Sequence, residues 1–308
     1  MTGFLKRWFI FIQERFNPVE TLAVVVFYFL ANALLAVKSI SGVLSSVSAY
    51  LTGGLVILTV FFHLRIFDEI KDYQTDLMVN PQRPLARGLI SVEEAKKTAL
   101  GLILAEILLS GAAGIPALLA INMVIIYSLI MYREFFIGKW LRPHLTTYAL
   151  LHTLISCLMS VFIFSAVTGL YLWQIPISYL IFVLVSWMIF NIFEFGRKTF
   201  SPGEEKSLVD SYSKSFGPWG AISLVLLMAT VAVWAAFYLG SLFQLNIVFF
   251  FALGGLFGLL FISSLLYAIC RNTRTAKIFR LLCSIFILFY NVIITIFVVN
   301  SGGIRWKI

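Results

Sequence analysis

The chain has 308 residues, of which 61% are hydrophobic and only 12% charged, against roughly 25% charged in ordinary soluble domains. This excludes a soluble globular protein and points to an integral protein of the lipid bilayer. The net charge of +9 does not mark a nucleic-acid binder, because the basic residues sit in short loops between apolar stretches.

The opening segment, FLKRWFIFIQERF, has charges in its middle and no small-residue cleavage site. It reads as an amphipathic helix at the interface, within residues 1–17, and not as a cleaved signal. Stretches long enough to span a bilayer follow at roughly 20–39, 44–67, 92–113, 116–132, 145–171, 176–195, 218–241, 244–269 and 278–300. The expected fold class is all-α, with nine transmembrane helices in a single membrane domain over 1–308. The third span opens on Ser91-Val92-Glu93-Glu94, a capping box. Cys157, Cys270 and Cys283 lie in or beside apolar stretches, form no C-x-x-C pair, and read as packing residues.

With the N-terminus in the cytoplasm, this threading puts 20 of the 23 Lys and Arg residues on the cytoplasmic side. The other side keeps only Lys38, Arg305 and Lys307, as the positive-inside rule requires. The same face collects Asp68, Glu69, Asp72 and Asp76 after the second span, and Glu194, Glu204, Glu205 and Asp210 after the sixth. Arg133, Lys139 and Arg142, in the loop 133–144, join them.

Asp68, Asp72 and Asp76 recur every fourth residue. On a helix they drift by only about 80° and form one stripe about 12 Å long, with Glu69 one step around. Acids at a membrane-helix end repel one another and need cations. Mg²⁺ bridging to a phosphate is the natural fit, because it is held by one or two carboxylates plus phosphate oxygens. The bland alternative is a solvated helix end whose acids are caught by Lys71, Arg83 and Arg87.

These residues resemble the UbiA superfamily of intramembrane prenyltransferases, whose motif is Asn-Asp-x-x-Asp-x-x-x-Asp followed by Arg-Pro-Leu/Ile and a Gly. Asp68 stands at the Asn and Glu69 at the first Asp, Asp72 and Asp76 match, and Arg83-Pro84-Leu85 and Gly88 follow at the family's spacing. The second motif, usually Asp-x-x-x-Asp, departs: the chain has Glu194-Phe195-Gly196-Arg197-Lys198, then Glu204-Glu205, then Asp210-Ser211-Tyr212-Ser213. It looks like a divergent branch.

The resemblance implies an Mg²⁺-dependent transfer of a prenyl group from a prenyl diphosphate to a small, often aromatic, acceptor. It makes Asp68, Asp72 and Asp76 the catalytic acids, with Asp68, Glu69, Asp72, Asp76, Glu194 and Glu205 as candidate metal ligands. Arg83, Lys139, Arg142, Arg197, Lys198 and Tyr212 are the candidate substrate-binding residues, and 68–91 and 196–217 the catalytic cytoplasmic loops. Two readings of the second site stay open: Glu194 or Glu205 takes over metal binding, or Arg197 and Lys198 bind phosphate directly. The 30 Phe, 12 Tyr and 7 Trp residues supply aromatic faces for an allylic cation.

A membrane terpene cyclase would use the same diphosphate site without an acceptor. A transporter or non-catalytic membrane protein would more naturally carry charges at the midplane, where this chain places only Glu106. Glu106 either faces the cavity or pairs with a polar side chain such as Asn191 or His152. His63 and His152 read as hydrogen-bonded helix residues, and His144 as a loop residue near the rim.

Overall fold

The computed structural model describes residues 3–40, 44–206, 209–302 and 305–307. Its helices are α1 (Phe4–Arg15), α2 (Pro18–Lys38), α3 (Val47–Val79), α4 (Val92–Ala113), α5 (Ile115–Tyr132), α6 (Gly138–Leu141), α7 (Leu145–Thr153), α8 (Ile155–Thr168), α9 (Ile177–Arg197), α10 (Tyr212–Leu242), α11 (Ile247–Cys270) and α12 (Thr273–Asn300). Two three-residue strands, β1 (Leu44–Ser46) and β2 (Arg305–Lys307), pair in parallel. The long helices close a ring in chain order: α2 packs on α3, α3 on α4, α4 on α5, α5 on α8, and so on to α12, which returns to α2.

Among the described residues, eight segments are long and apolar enough to cross a membrane: α2, α3, α5, α7 with α8, α9, α10, α11 and α12. The ninth expected span is α4. Its 22 residues reach about 33 Å, enough to span, but Glu93, Glu94, Lys96, Lys97 and Glu106 keep its composition below that of the other eight. It nonetheless sits in the ring between α3 and α5.

Several boundaries differ from the sequence reading for identifiable reasons. The expected second span ends near residue 67, whereas α3 runs 33 residues to Val79. That is about 50 Å of helix against a hydrocarbon core of about 30 Å, so its last three turns stand beyond the apolar segment as a rigid rod. The fifth span breaks into α7 and α8 at Leu154. There the Trp187 indole donates to the Leu150 carbonyl at 2.9 Å and the Tyr127 hydroxyl to the Leu151 carbonyl at 2.7 Å, and side chains entering a helix ladder bend it. In α10, Gly217 has φ 69° just before Pro218, so an extra turn, 212–216, leads into the span expected from residue 218. The capping box forms by half: the Ser91 hydroxyl accepts from the Glu94 amide at 3.1 Å, while the Glu94 carboxylate takes Arg7 at 2.6 Å and the Trp8 indole at 3.0 Å from α1.

Those contacts dock α1 at the end of the bundle where α3 terminates. Arg87 on Glu14 and Arg15 on Glu69 fix the same end. At the opposite end Lys38 donates to the Ser301 hydroxyl at 2.7 Å and the Gly302 carbonyl at 3.0 Å. The side chains of Arg305 and Lys307, expected beside it, lie outside the described residues. Gln82 and Gly203 are both exposed at the acidic end. Single cysteines placed there, with the exposed Cys270 changed to Ser, are expected to label from the cytoplasmic face alone. Labelling of either from the opposite face would reject the threading.

Candidate active site

The sequence puts four acids on the last turns of α3, and the helix geometry sorts them. Asp68 and Asp72 line a cavity of about 550 Å³ at the acidic end of the ring. A further drift of about 40° per four residues turns Asp76 toward the Arg-Pro loop, where it is 4% exposed. There it accepts two bonds from Arg83, at 2.7 and 2.8 Å, and one from Asn80 at 3.0 Å. Glu69, 2% exposed, points into the protein and accepts from Arg15 at 2.6 Å and Arg65 at 2.9 Å. The loop that brings Arg83 back folds on a turn closed by Gly88, whose φ of 74° suits a residue without a side chain, and the buried Leu85 and Ile90 anchor it to the core.

Glu194, at the end of α9, lines the same cavity. Both of its oxygens are taken: Oε2 by Arg197 at 2.5 Å and Oε1 by Lys198 at 3.0 Å. Six cations (Arg15, Arg65, Lys71, Arg83, Arg197 and Lys198) and three carboxylates, Asp68, Asp72 and Glu194, line the cavity. Below them come Tyr148 and His152 of α7, then an apolar floor with Met131, Phe61 and Phe190. Phe61 and Phe190 also line an apolar groove of about 470 Å³ between α2, α9 and α12.

The remaining expected site residues lie elsewhere. Glu205 accepts from the Ser211 and Ser213 hydroxyls at 2.7 and 2.6 Å, away from the cavity. Tyr212 is fully buried, stacked edge-on against Phe195, because the turn before Pro218 rolls it inward. Lys139 is exposed on the short α6. Arg142 is held by Glu134 at 2.9 Å, and that hydrogen bond raises the guanidinium above its ordinary pKa. Glu204 and Asp210 are not in the cavity wall either. Arg280 grips Glu204 at 2.6 Å, and with Ser201 it lowers that carboxyl to about 2. The anchor of the 199–211 loop is therefore complete above about pH 4 and is lost only as pH falls through about 2.

Arg15, Arg65, Tyr148 and His152 were not expected in the site. Arg65 had a signal, since Glu69 is its i+4 neighbour; Arg15 comes from a separate helix 54 residues away and had none. The Tyr148 ring stacks on His152 with centroids 3.9 Å apart, and Lys71 and Lys198 both lie over it. His152 Nδ1 is 2.8 Å from the Tyr148 carbonyl. A carbonyl only accepts, so Nδ1 carries the proton and Nε2 is the acceptor.

No protein-family model and no curated protein matches the sequence. Solved structures do match. A digeranylgeranylglyceryl phosphate synthase covers 96% of this chain and 99% of its own, at 18% identity and a TM-score of 0.63. A UbiA homologue from Aeropyrum pernix K1 covers 88% of this chain and 98% of its own, at 16% identity and a TM-score of 0.64. A UbiA homologue from Archaeoglobus fulgidus, bound to GPP and Mg²⁺, covers 89% of this chain and 99% of its own, at 16% identity and a TM-score of 0.50.

The fold is the UbiA fold. With its eight apolar segments, the chain is an integral, multi-pass membrane protein. Mg²⁺ accompanies the diphosphate in the A. fulgidus structure, so its fit can be tested on the residues here. Among the described residues no group of three His, Cys, Asp or Glu side chains is arranged to hold a metal ion. Asp68 and Asp72 fit one Mg²⁺ that takes its other ligands from phosphate and water. Asp68 keeps 47% of its side chain exposed with Lys71 at 3.3 Å, and Asp72 is exposed. Glu69, Asp76 and Glu194 are already held by cations and do not complete a second such set.

α9 packs closely on α12 at this site. A methyl on Gly196 would collide with the buried Cys283 side chain. Gly196→Ala is expected to destabilise the protein by about 1–3 kcal/mol through overpacking, read as a lowered thermal midpoint in detergent. An unchanged midpoint would mean that α9 and α12 separate freely.

Proposed function

We propose that the chain is an Mg²⁺-dependent intramembrane prenyltransferase that moves a prenyl group from a prenyl diphosphate to a small acceptor. The observation that carries this reading is one cavity with a charged rim and an aromatic, apolar floor. The rim suits a diphosphate and the floor its hydrocarbon tail, with the groove beyond Phe61 and Phe190 open to further apolar length. The A. fulgidus homologue bound to GPP and Mg²⁺, and its counterpart bound to DMAPP and Mg²⁺, support it.

In this reading Asp68 and Asp72 hold the ion. A bound Mg²⁺ supplies Lewis-acid stabilisation of the departing diphosphate. Arg83, oriented by its two bonds to Asp76, donates charge-assisted hydrogen bonds to phosphate oxygens. Lys71 does the same from beside Asp68. Cleavage of the C–O bond leaves an allylic cation, which the faces of Phe61 and Phe190 stabilise while the packed floor excludes water. The acceptor then forms the new bond to the prenyl carbon and loses a proton. The whole chain is one membrane domain in this reading, with 68–91 and 196–217 as cytoplasmic catalytic loops.

Incubation of the purified protein with labelled prenyl diphosphates and Mg²⁺, with and without aromatic acceptors, tests the proposal. Label in an acceptor adduct supports transfer. Cyclic hydrocarbon formed without acceptor makes the chain a cyclase on the same fold. Recovery of intact diphosphate under all conditions rejects both.

A further inference from the structure

We infer that Arg197 and Lys198, oriented by Glu194, bind the diphosphate directly, so that the site takes up a diphosphate without any divalent metal and uses a single ion, at Asp68 and Asp72, for chemistry. The inference rests on the prenyl diphosphate reading above and specifies how this chain holds that group.

Both oxygens of Glu194 are engaged, by Arg197 at 2.5 Å and Lys198 at 3.0 Å. Glu69 holds two more cations, Arg15 at 2.6 Å and Arg65 at 2.9 Å. In each case the carboxylate is the more buried partner: 13% of the Glu194 side chain is exposed against 50% for Arg197 and 25% for Lys198, and 2% for Glu69 against 19% for Arg15. A carboxylate placed behind its cations anchors them, and the cations present their remaining donors to the cavity they line. A metal ligand would be placed the other way, with its oxygens forward.

The second element is repulsion. Arg15, Arg65, Lys71, Arg83, Arg197 and Lys198 all line one cavity, and the Lys71 and Lys198 ammonium groups lie 5.6 and 6.0 Å from the centre of the same Tyr148 ring. Like charges that converge on a cavity at a membrane surface cost energy unless an anion joins them. A diphosphate has oxygens enough for several of these cations at once, and guanidinium forks match phosphate geometry. Glu194 is therefore a positioning residue, and Arg197 and Lys198 are ligand residues.

The test uses the full chain purified in detergent, with geranyl thiolodiphosphate as a slowly ionising probe. Binding is measured by calorimetry in EDTA and in Mg²⁺, and bound Mn²⁺ is counted by electron paramagnetic resonance. We expect binding in EDTA with a Kd within about tenfold of the Mg²⁺ value. Loss of Arg197 or Lys198 by substitution with Gln should weaken the EDTA Kd about 10- to 100-fold each, the range of one charge-assisted hydrogen bond. Glu194→Gln should weaken it too, without recovery at raised Mg²⁺, and Mn²⁺ should load to one ion per chain. Should Arg197→Gln fail to fold, Arg197→Lys keeps the charge but loses the fork and should show a smaller loss. Binding in Mg²⁺ alone, or two Mn²⁺ ions that fall to one in Glu194→Gln, would overturn the inference and leave the transferase reading intact. No binding in either buffer would remove both.

Discussion

Asp72→Asn is expected to remove the proposed turnover of a prenyl diphosphate while the protein stays folded. Asp72 is exposed to the cavity, and among the described residues no salt bridge engages it, unlike Glu69, Asp76 and Glu194. Its charge therefore contributes little to the bundle, and an exposed substitution of this kind alters stability by less than about 0.5 kcal/mol. In the proposed reaction the same charge is the one most available to an ion beside the leaving group. Removing one preorganised stabiliser of transition-state charge costs about 100- to 1,000-fold in kcat. Asp76→Asn is a useful contrast. It releases Arg83, whose Nη1 donates to both Asp76 oxygens, so it should lower turnover less and the thermal midpoint more. The measurement is a rate with labelled prenyl diphosphate in saturating Mg²⁺, paired with a melting curve. Wild-type turnover by Asp72→Asn would end the claim that this end of α3 is catalytic.

The contrast between Asp72 and Asp76 shows what could be read from the sequence and what could not. The four-residue interval fixed one stripe, and the stripe is on one helix. The slow drift inherent in 3.6 residues per turn already contained the outcome that its two ends face different neighbours. The identity of those neighbours was not local information. Arg83 waits seven residues further on, across a loop, and Arg15 arrives from α1. Spans were legible because hydrocarbon imposes length and composition, and α4 was placed despite its charges because Ser91 announces its start. The break at Leu154 was not legible, because it depends on Trp187 and Tyr127 reaching over from other helices. The same holds for Glu205 and Tyr212, which the motif suggests for the site, whereas Glu205 is taken by the Ser211 and Ser213 hydroxyls and Tyr212 is buried against Phe195. Local patterns specify elements; pairings between elements decide which charged groups are free for chemistry.

Glu106 is the clearest case of such a pairing, and it carries the largest expected effect on stability. From the sequence it lies deep in a span, and either faces the cavity or pairs with a polar side chain such as Asn191 or His152. The structure pairs it instead with His63 of α3, Nδ1 to Oε1 at 2.8 Å, with both side chains 0% exposed. Neither residue lines the charged cavity. His63 Nε2, Glu106 Oε2 and the Ser110 hydroxyl one turn further on have no hydrogen-bond partner, so the pair is all that compensates these groups between α3 and α4. His63→Leu leaves a buried acid alone and should cost about 3–5 kcal/mol, the range for breaking a buried pair on one side. Glu106→Leu leaves an imidazole without its partner and should cost less. Changing both to Leu removes every group that needed a partner, and replacement of a buried pair by apolar residues of similar volume is close to neutral. The double variant should therefore be more stable than His63→Leu, a non-additivity of several kcal/mol in a double-mutant cycle. Unfolding in mixed detergent–SDS micelles reads these differences. Strictly additive losses would mean the two side chains do not depend on each other. Turnover per folded molecule should change little in all three variants, because the pair holds α3 against α4 from outside the cavity, and it is α3 that carries Asp68 and Asp72 to the rim.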